Sequence, residues 1–245
     1  DVTLHAGVLS NSNGLIIIGT GGNITAQGSN ADTGNGGAGG VIELDTYQET
    51  ITLTDASLSS YGGTKSTGNT DGVGGNINIK GAALISTSSS SLATSLDTGA
   101  SVAGNVTFDS TINGVTEGGG ALNDHLDIIS GTGSVTISGV IGGDTGLTTL
   151  DINATNGFST GAITTTHIGD GDTTGVSGVI KLGNANTSSL TTGTTLKFGS
   201  GFDYAGNFAL GQNYSTSGEN VNIYGNLTSS GAFSIDSGGG DITVT

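Results

Sequence analysis

The chain has 245 residues, of which 48 are Gly and none is Pro, Cys, Met or Trp, and only 10% of it is charged. Twenty acidic residues outweigh four lysines to give a net charge of −16, which argues against nucleic acids and anionic membranes as partners, because both attract clustered Lys and Arg. The lack of Pro and of a three-residue glycine period excludes collagen, and the lack of Cys excludes disulfides and thiolate metal sites. No apolar run approaches the roughly 18 residues of a membrane-spanning helix.

A short pattern recurs along the chain, in which one polar residue stands between two apolar ones. In GGNINIKG, Ile77 and Ile79 flank Asn78. Alternation of this kind predicts a β-strand with its apolar residues inward. The polar residues of the pattern, which we interpret as one repeated outward position, are Thr25, Glu43, Asn78, Thr107, Asp127, Asp151, Lys181, Asn222 and Thr243, with Lys197 as a further copy.

The spacing of these copies predicts a solenoid. Neighbouring copies lie 16 to 35 residues apart and mostly about 20 to 30 apart, whereas the strands of a β-sandwich recur about every 8–12 residues. Stacked ~4.8 Å apart, such strands form a parallel ladder with continuous inward columns of Ile, Leu and Val. We therefore predict one all-β domain over 1–245, a parallel β-helix (β-solenoid) of roughly ten coils.

One repeat also suggests the shape of a coil. Segments 41–45, 49–55 and 56–60 each read as a strand, which predicts three sides per coil. The glycine-rich segments 28–40, 61–75 and 86–104 precede later coils and predict long loops along one edge. In repeat proteins such insertions often form the binding face, although surface loops also lengthen at little entropic cost.

Several segments resemble a known family. GGVIELD, GGNINIKG and AGNVTFDS, with TITLTDASLSS between the first two, are similar to repeats of the filamentous haemagglutinin family of large secreted bacterial adhesins. The segment 133–166 resembles the related strand repeats of giant bacterial surface proteins. The resemblance implies a right-handed parallel β-helix that is exported to the bacterial cell surface or beyond it. It also implies a role in adhesion, with host, neighbour-cell or matrix glycans as partners, or a role as a stalk.

A motif near the start is similar to part of that family's secretion domain. NSNGL at 11–15 resembles its Asn-Pro-Asn-Gly motif, but Ser12 stands in place of the proline. We interpret this segment as an ordinary Asn-Gly turn. The secretion route is therefore left open.

Two aspartates raise an enzymatic alternative. Asp127 and Asp151 occupy the repeated outward position on neighbouring coils, so their carboxylates are expected about one strand spacing apart. Carboxyl pairs ~5 Å apart serve retaining glycosidases, and the parallel β-helix is a fold used by pectin-degrading enzymes. Lys181 follows as a charge partner, and no Arg is present. We predict no catalytic residue, with a polysaccharide-active hydrolase or lyase as the alternative; no role is assigned to His5, His125 and His167.

Acidic residues also suggest weak cation binding. Asp170 and Asp172 lie in the string GDGD, with Asp144 earlier in the chain. Oxygen ligands of this type suit Ca²⁺, but the spacing matches neither the EF-hand nor the calcium-binding nonapeptide repeats. We predict no cofactor, and expect at most weak, diffuse cation binding.

Most aromatic residues lie in the last quarter of the chain. Rings stack on sugar faces, so Phe202, Tyr204 and Tyr214 are the candidate ligand platform. The alternative is that Phe198 and Phe208 mark an internal aromatic stack that fills the core of a wider coil.

Both ends of the chain read as strands of the same pattern. DVTL opens the sequence and DITVT closes it, and open strand edges invite further pairing. We expect either flanking repeats of a longer chain or end-to-end stacking of copies into a fibre.

Overall fold

The computed structural model describes residues 1–6, 14–88, 94–99, 103–115, 124–131, 133–153, 163–168, 180–182, 196–198, 202–205, 208–210, 214–216, 218, 220–224, 226–229 and 231–245; between 163 and 216 the description covers the backbone. Within these ranges all of the regular secondary structure consists of β-strands. They contain no helix of the length and hydrophobicity that crossing a membrane requires.

The strands are short and follow one another closely. In the first half they are β1 (Val2–His5), β2 (Ile16–Ile18), β3 (Asn23–Thr25), β4 (Ile42–Thr54), β5 (Ser57–Ser59), β6 (Ile77–Ser86), β7 (Thr94–Asp97), β8 (Val106–Phe108), β9 (Ile112–Gly114), β10 (His125–Ile129) and β11 (Val135–Ile141). In the second half they are β12 (Thr149–Asn153), β13 (Ile163–Ile168), β14 (Ile180–Leu182), β15 (Leu196–Phe198), β16 (Phe202–Ala205), β17 (Phe208–Leu210), β18 (Tyr214–Thr216), β19 (Val221–Tyr224), β20 (Leu227–Ser229), β21 (Ile235–Asp236) and β22 (Ile242–Val244).

The strands are arranged on three faces, and every pairing between the described strands is parallel. Face 1 follows the order β1-β4-β6-β8-β11-β13-β15-β18-β21. The later parts of β4, β6, β11 and β13 continue onto face 2, where they join β2, β9, β16, β19 and β22. Face 3 comprises β3, β5, β7, β10, β12 and β14, with β17 and β20 as a separate pair. The chain is thus an all-β protein of parallel strands, compatible with the predicted three-sided β-solenoid.

The predicted single outward column is wrong, because the recurring pattern lies on all three faces. Glu43, Asn78, Thr107 and Lys197 belong to face 1, Thr25, Asp127, Asp151 and Lys181 to face 3, and Asn222 and Thr243 to face 2. All three faces bury alternate residues, so the alternation does not distinguish them. The true repeat pairs Val2 with Ile42, Ile42 with Ile77 and Ile77 with Val106, so its length falls from 40 to 35 to 29 residues over these first coils.

Alternate residues of each face form continuous buried columns. Ile77 and Ile79 are 0% exposed, while Asn78 between them is partly exposed, which confirms the predicted inward and outward positions. The columns include Ile42, Ile77, Val106 and Val135 on face 1, Ile51, Ala83, Ile112 and Ile141 on face 2, and Leu58, Leu96, Ile128 and Ile152 on face 3. Burial of each large side chain stabilises the fold by roughly 1.5–3 kcal/mol.

Glycine and asparagine build the corner that leads into face 1. A Cβ atom on Gly104 would overlap the carbonyl oxygen of Gly75, and one on Gly133 would overlap that of Gly104. Only glycine therefore allows successive coils to approach this closely. The asparagine that follows the glycine bridges the coils. Asn76, which follows Gly75, accepts at Oδ1 a hydrogen bond of 2.9 Å from the backbone N–H of Asn105.

Two of the three predicted loops leave the coil at this corner. Segments 28–40 and 61–75 connect face 3 to face 1 in consecutive coils, as predicted, and stack on each other. The third prediction, a loop over 86–104, is wrong. Strand β6 continues to Ser86 and β7 occupies Thr94–Asp97, because alternation with Leu96 inward extends the third face into this polar segment.

Candidate functional site

The predicted aspartate pair is confirmed on face 3. Asp127 on β10 is in direct register with Asp151 on β12, and Asp151 is in register with Lys181 on β14. Adjacent parallel strands are ~4.8 Å apart, so two carboxylates and one lysine position follow each other in one column. Like charges that face each other destabilise a sheet, and the register places a lysine next to the pair in the order of strands.

A histidine lies two residues before the first aspartate. His125 Nδ1 is 2.6 Å from Thr149 Oγ1 on the next coil, and Thr149 is its register partner. Burial lowers the pKa of His125 below its ordinary value, because desolvation disfavours the charged imidazolium. The structure therefore brings His125 onto the same face as the aspartate pair, although sequence reasoning assigned no role to this histidine.

The candidate aromatic platform occupies register positions next to core residues. Phe202 pairs with Val221 and Tyr204 with Ile223, and both of these partners are buried. Tyr214 pairs with Ile235, which packs against the core. This register favours the core-filling alternative, while the three aromatic side chains themselves lie outside the described part.

Of the three candidate cation ligands, Asp144 alone lies among the described residues. Asp170 and Asp172 lie outside the described residues. Asp144 is bound to Asn113: its backbone N–H donates to Asn113 Oδ1 at 3.0 Å, and Asn113 Nδ2 donates to Asp144 Oδ2 at 3.3 Å. Asp144 therefore holds a corner between coils.

A cluster that sequence reasoning missed lies on face 1, where the first two coils meet. His5 on β1 is in register with Asp45 on β4, and Glu43 is on the same outward side. One ligand atom from each of the three residues lies within 4.8 Å of the others, a set that could hold a metal ion. Aligning DVTLH with VIELD, both of which follow the alternation, would have placed the histidine opposite the aspartate.

A lysine from the third coil completes this surface. Lys80 Nζ is 2.9 Å from Glu43 Oε2, and Lys80 is the register partner of Asp45. The hydrogen bond to Glu43 raises the pKa of Lys80 above its ordinary value, against the effect of desolvation and together with the charges of Glu43, Asp45 and Asp109. An imidazole, two carboxylates and an ammonium group from three coils thus lie close together on the outward side of face 1.

The stacked loops form a third surface of interest. Ala31 N–H donates to the carbonyl of Thr64 at 2.9 Å, and Asn30 Oδ1 accepts from Thr64 N–H at 2.9 Å. Asn35 Oδ1 accepts from Thr70 N–H at 3.0 Å. The loops therefore form an ordered two-layer projection whose inner contacts are between glycines and whose exposed side chains are polar apart from Ala38 and Val73.

Known proteins provide no assignment for these surfaces, since no family model, curated protein or solved structure matches the chain.

Proposed function

We propose that the chain is a segment or subunit of a non-enzymatic, exported β-solenoid that builds a shaft or fibre at the bacterial surface. In this proposal the parallel strands form a right-handed helix of roughly ten coils. The observation that carries it is the set of buried columns that pass from coil to coil on all three faces. A column of this kind adds length without a closed end, which suits a shaft.

The first and last described strands support stacking on a further coil. Leu4 on β1 is 38% exposed, and Ile242 and Val244 on β22 are 47% and 48% exposed. These residues continue columns that are buried in the neighbouring coils. A flanking repeat of a longer chain or the end of a second copy would cover them in the same register.

The stacked loops are the proposed adhesive surface. They project from one corner in consecutive coils and present hydroxyl, amide and charged side chains, which are the groups that bind sugars by hydrogen bonds. Their ordered backbone also limits the entropy lost on binding. Glycans of a host, of neighbouring cells or of a surrounding matrix are the proposed ligands.

Electron microscopy and glycan-binding assays test these two parts separately. Filaments of the isolated chain support end-to-end stacking, whereas persistent monomers at high concentration argue against it. For adhesion, we would replace 29–38 and 62–73 together by Asn-Gly turns, since each loop packs on the other. Retained far-UV circular dichroism with lost glycan binding supports the loops as the adhesive surface, and unchanged binding contradicts it.

The aspartate pair keeps a polysaccharide-active enzyme as the second candidate. Direct register of Asp127 with Asp151 is the observation that favours it, because two nearby carboxyl groups can act as acid and nucleophile. The test is an activity screen on acidic polysaccharides with the wild-type chain and an Asp127→Asn, Asp151→Asn variant. Cleavage that depends on these aspartates would overturn the non-enzymatic proposal.

A further inference from the structure

The cluster on face 1 has the geometry of an ion site between two coils. His5 Nδ1 is 3.7 Å from Asp45 Oδ2, which is too long for a hydrogen bond. Two metal–ligand bonds of about 2.0–2.2 Å each bridge a gap of this size. Glu43 lies two residues before Asp45 on the same side of β4 and brings a second carboxylate within 4.8 Å of both ligand atoms.

The surrounding residues hold these side chains in place. Tyr47 N–H donates to Asp45 Oδ1 at 2.9 Å, so the other oxygen of Asp45 faces His5. The ring of Tyr47 stacks on the imidazole of His5 with centroids 6.1 Å apart. A hydrogen bond to a ligating carboxylate, such as that from Tyr47 to Asp45, orients the ligand and strengthens metal binding.

We propose that His5, Glu43 and Asp45 bind a first-row divalent transition-metal ion and thereby fasten the first coil to the second. The ligand set decides the class of metal. Imidazole nitrogen suits Zn²⁺, Co²⁺, Ni²⁺ and Cu²⁺, whereas Ca²⁺ takes six to eight oxygen ligands. Within the described part of the chain, this is the cluster in which an imidazole and two carboxylates bring their ligand atoms within 4.8 Å of one another, whereas scattered acidic positions in a chain with a net charge of −16 attract all cations diffusely.

Lys80 acts as an internal competitor in this site. Its ammonium group already neutralises Glu43 at 2.9 Å, and it repels a metal ion by simple Coulomb interaction. Removal of the lysine charge should therefore tighten metal binding, although the same change removes a surface ion pair. Replacement of Lys80 should thus strengthen metal binding, whereas replacement of any of the three ligands should weaken it. This contrast is specific to the proposed site.

Binding would act on a strand that has a single partner. Strand β1 pairs with β4 alone among the described strands. A ligand that binds only the folded arrangement stabilises it by mass action. Hydrogen exchange of the β1 amides should therefore slow when the metal is added, with little change in β10 on face 3.

Titration of the full chain with ZnCl₂ tests the site, with the histidine ring nitrogens observed by NMR in excess Ca²⁺ at physiological ionic strength. The expected result is a selective shift of the His5 resonances while those of His125 and His167 stay in place, together with slower exchange in β1. Equal shifts of all three histidines, or no shift, would overturn the proposal.

Variants separate a built site from diffuse attraction. His5→Gln and Asp45→Asn should each weaken Zn²⁺ binding more than about tenfold in calorimetry, and Lys80→Gln should tighten it. Glu49→Gln on the same strand is the matched acidic control and should bind as the wild type does. His5 is 45% exposed, so its replacement leaves the fold intact. Equal affinity in all variants contradicts the proposal.

Discussion

Asn76 and Asn105 are joined across two coils by a hydrogen bond of 2.9 Å, from the backbone N–H of Asn105 to the side-chain oxygen of Asn76. Asn105 makes the same contact with the backbone N–H of Ser134 at 2.8 Å. Each asparagine follows a glycine of the stacked corner. The Gly-Asn pair is therefore a corner motif, in which glycine permits close approach and asparagine ties one coil to the next.

Replacement of Asn105 by alanine should loosen this corner. The variant keeps the backbone donor toward Asn76 but loses the acceptor for Ser134 N–H. We expect the free energy of unfolding in urea to fall by about 0.5–1.5 kcal/mol, the usual net contribution of one hydrogen bond. Asn78→Thr, on the outward side of β6, is the control and should change stability little; an equal loss in both variants would contradict the corner role.

The inward position of Ile77 should be far less tolerant. Ile77 is 0% exposed between Ile42 and Val106. We expect Ile77→Ala to lower the free energy of unfolding by about 2–5 kcal/mol, and Ile77→Asp to prevent stable folding because it buries a charge. Urea denaturation followed by circular dichroism measures both. If Ile77→Asp were tolerated as well as Asn78→Thr, the register of β6 would be wrong.

The contrast between these positions shows what could be predicted from the sequence. Alternation around Asn78 determines which residues point inward, because the side-chain period of a strand is two on any face. It does not determine the face, and so Asp127 on face 3 was placed in one column with Asn78 on face 1. The face depends on the lengths of loops and strands between copies, which vary along the chain.

The candidate sites also differ in how readily their residue pairs are predicted from the sequence. Asp127 and Asp151 could be paired in advance because their strands are consecutive copies on one face with similar sequences, HLDII and TLDIN. His5 and Asp45 are 40 residues apart because a long loop lies in the first repeat, so they are paired only when DVTLH is aligned with VIELD across that loop. Contacts between outward residues depend on the repeat length, which the loops change from coil to coil.

The stacked glycines predict a steric test at the same corner. A methyl group at residue 104 would overlap the carbonyl oxygen of Gly75, whereas one at residue 19 would meet no atom within 4 Å. We expect Gly104→Ala to lower the free energy of unfolding by about 1–3 kcal/mol, as overpacking does, and Gly19→Ala to leave it unchanged or raise it slightly. Thermal unfolding compares the two, and equal midpoints would contradict close stacking.

Substitution of Tyr204 tests whether this tyrosine belongs to a ligand platform or fills the core. Its register partner Ile223 is 0% exposed, so we expect Tyr204→Ala to lower the midpoint of thermal unfolding by several degrees, in line with a loss of roughly 2–4 kcal/mol. Tyr204→Phe keeps the ring and should unfold near the wild-type temperature. An unchanged midpoint for Tyr204→Ala, together with lost glycan binding, would favour the ligand platform instead.

His125 predicts a pH dependence of stability on face 3. Burial lowers the pKa of His125 in the folded chain, while the unfolded chain keeps the ordinary value of about 6.5. As the pH falls below that value, the unfolded state takes up the proton first, so the free energy of unfolding falls. The contribution is present above the unfolded pKa and is lost as the pH falls toward the folded one.

Urea denaturation at a series of pH values between neutral and mildly acidic measures this effect. His125→Gln removes the titrating group, so its stability should fall less steeply with pH than that of the wild type. Thr149→Val removes the hydroxyl 2.6 Å from His125 Nδ1 but keeps the imidazole, and should retain most of the dependence. Parallel pH profiles for the wild type and His125→Gln would mean that desolvation of this histidine does not influence folding.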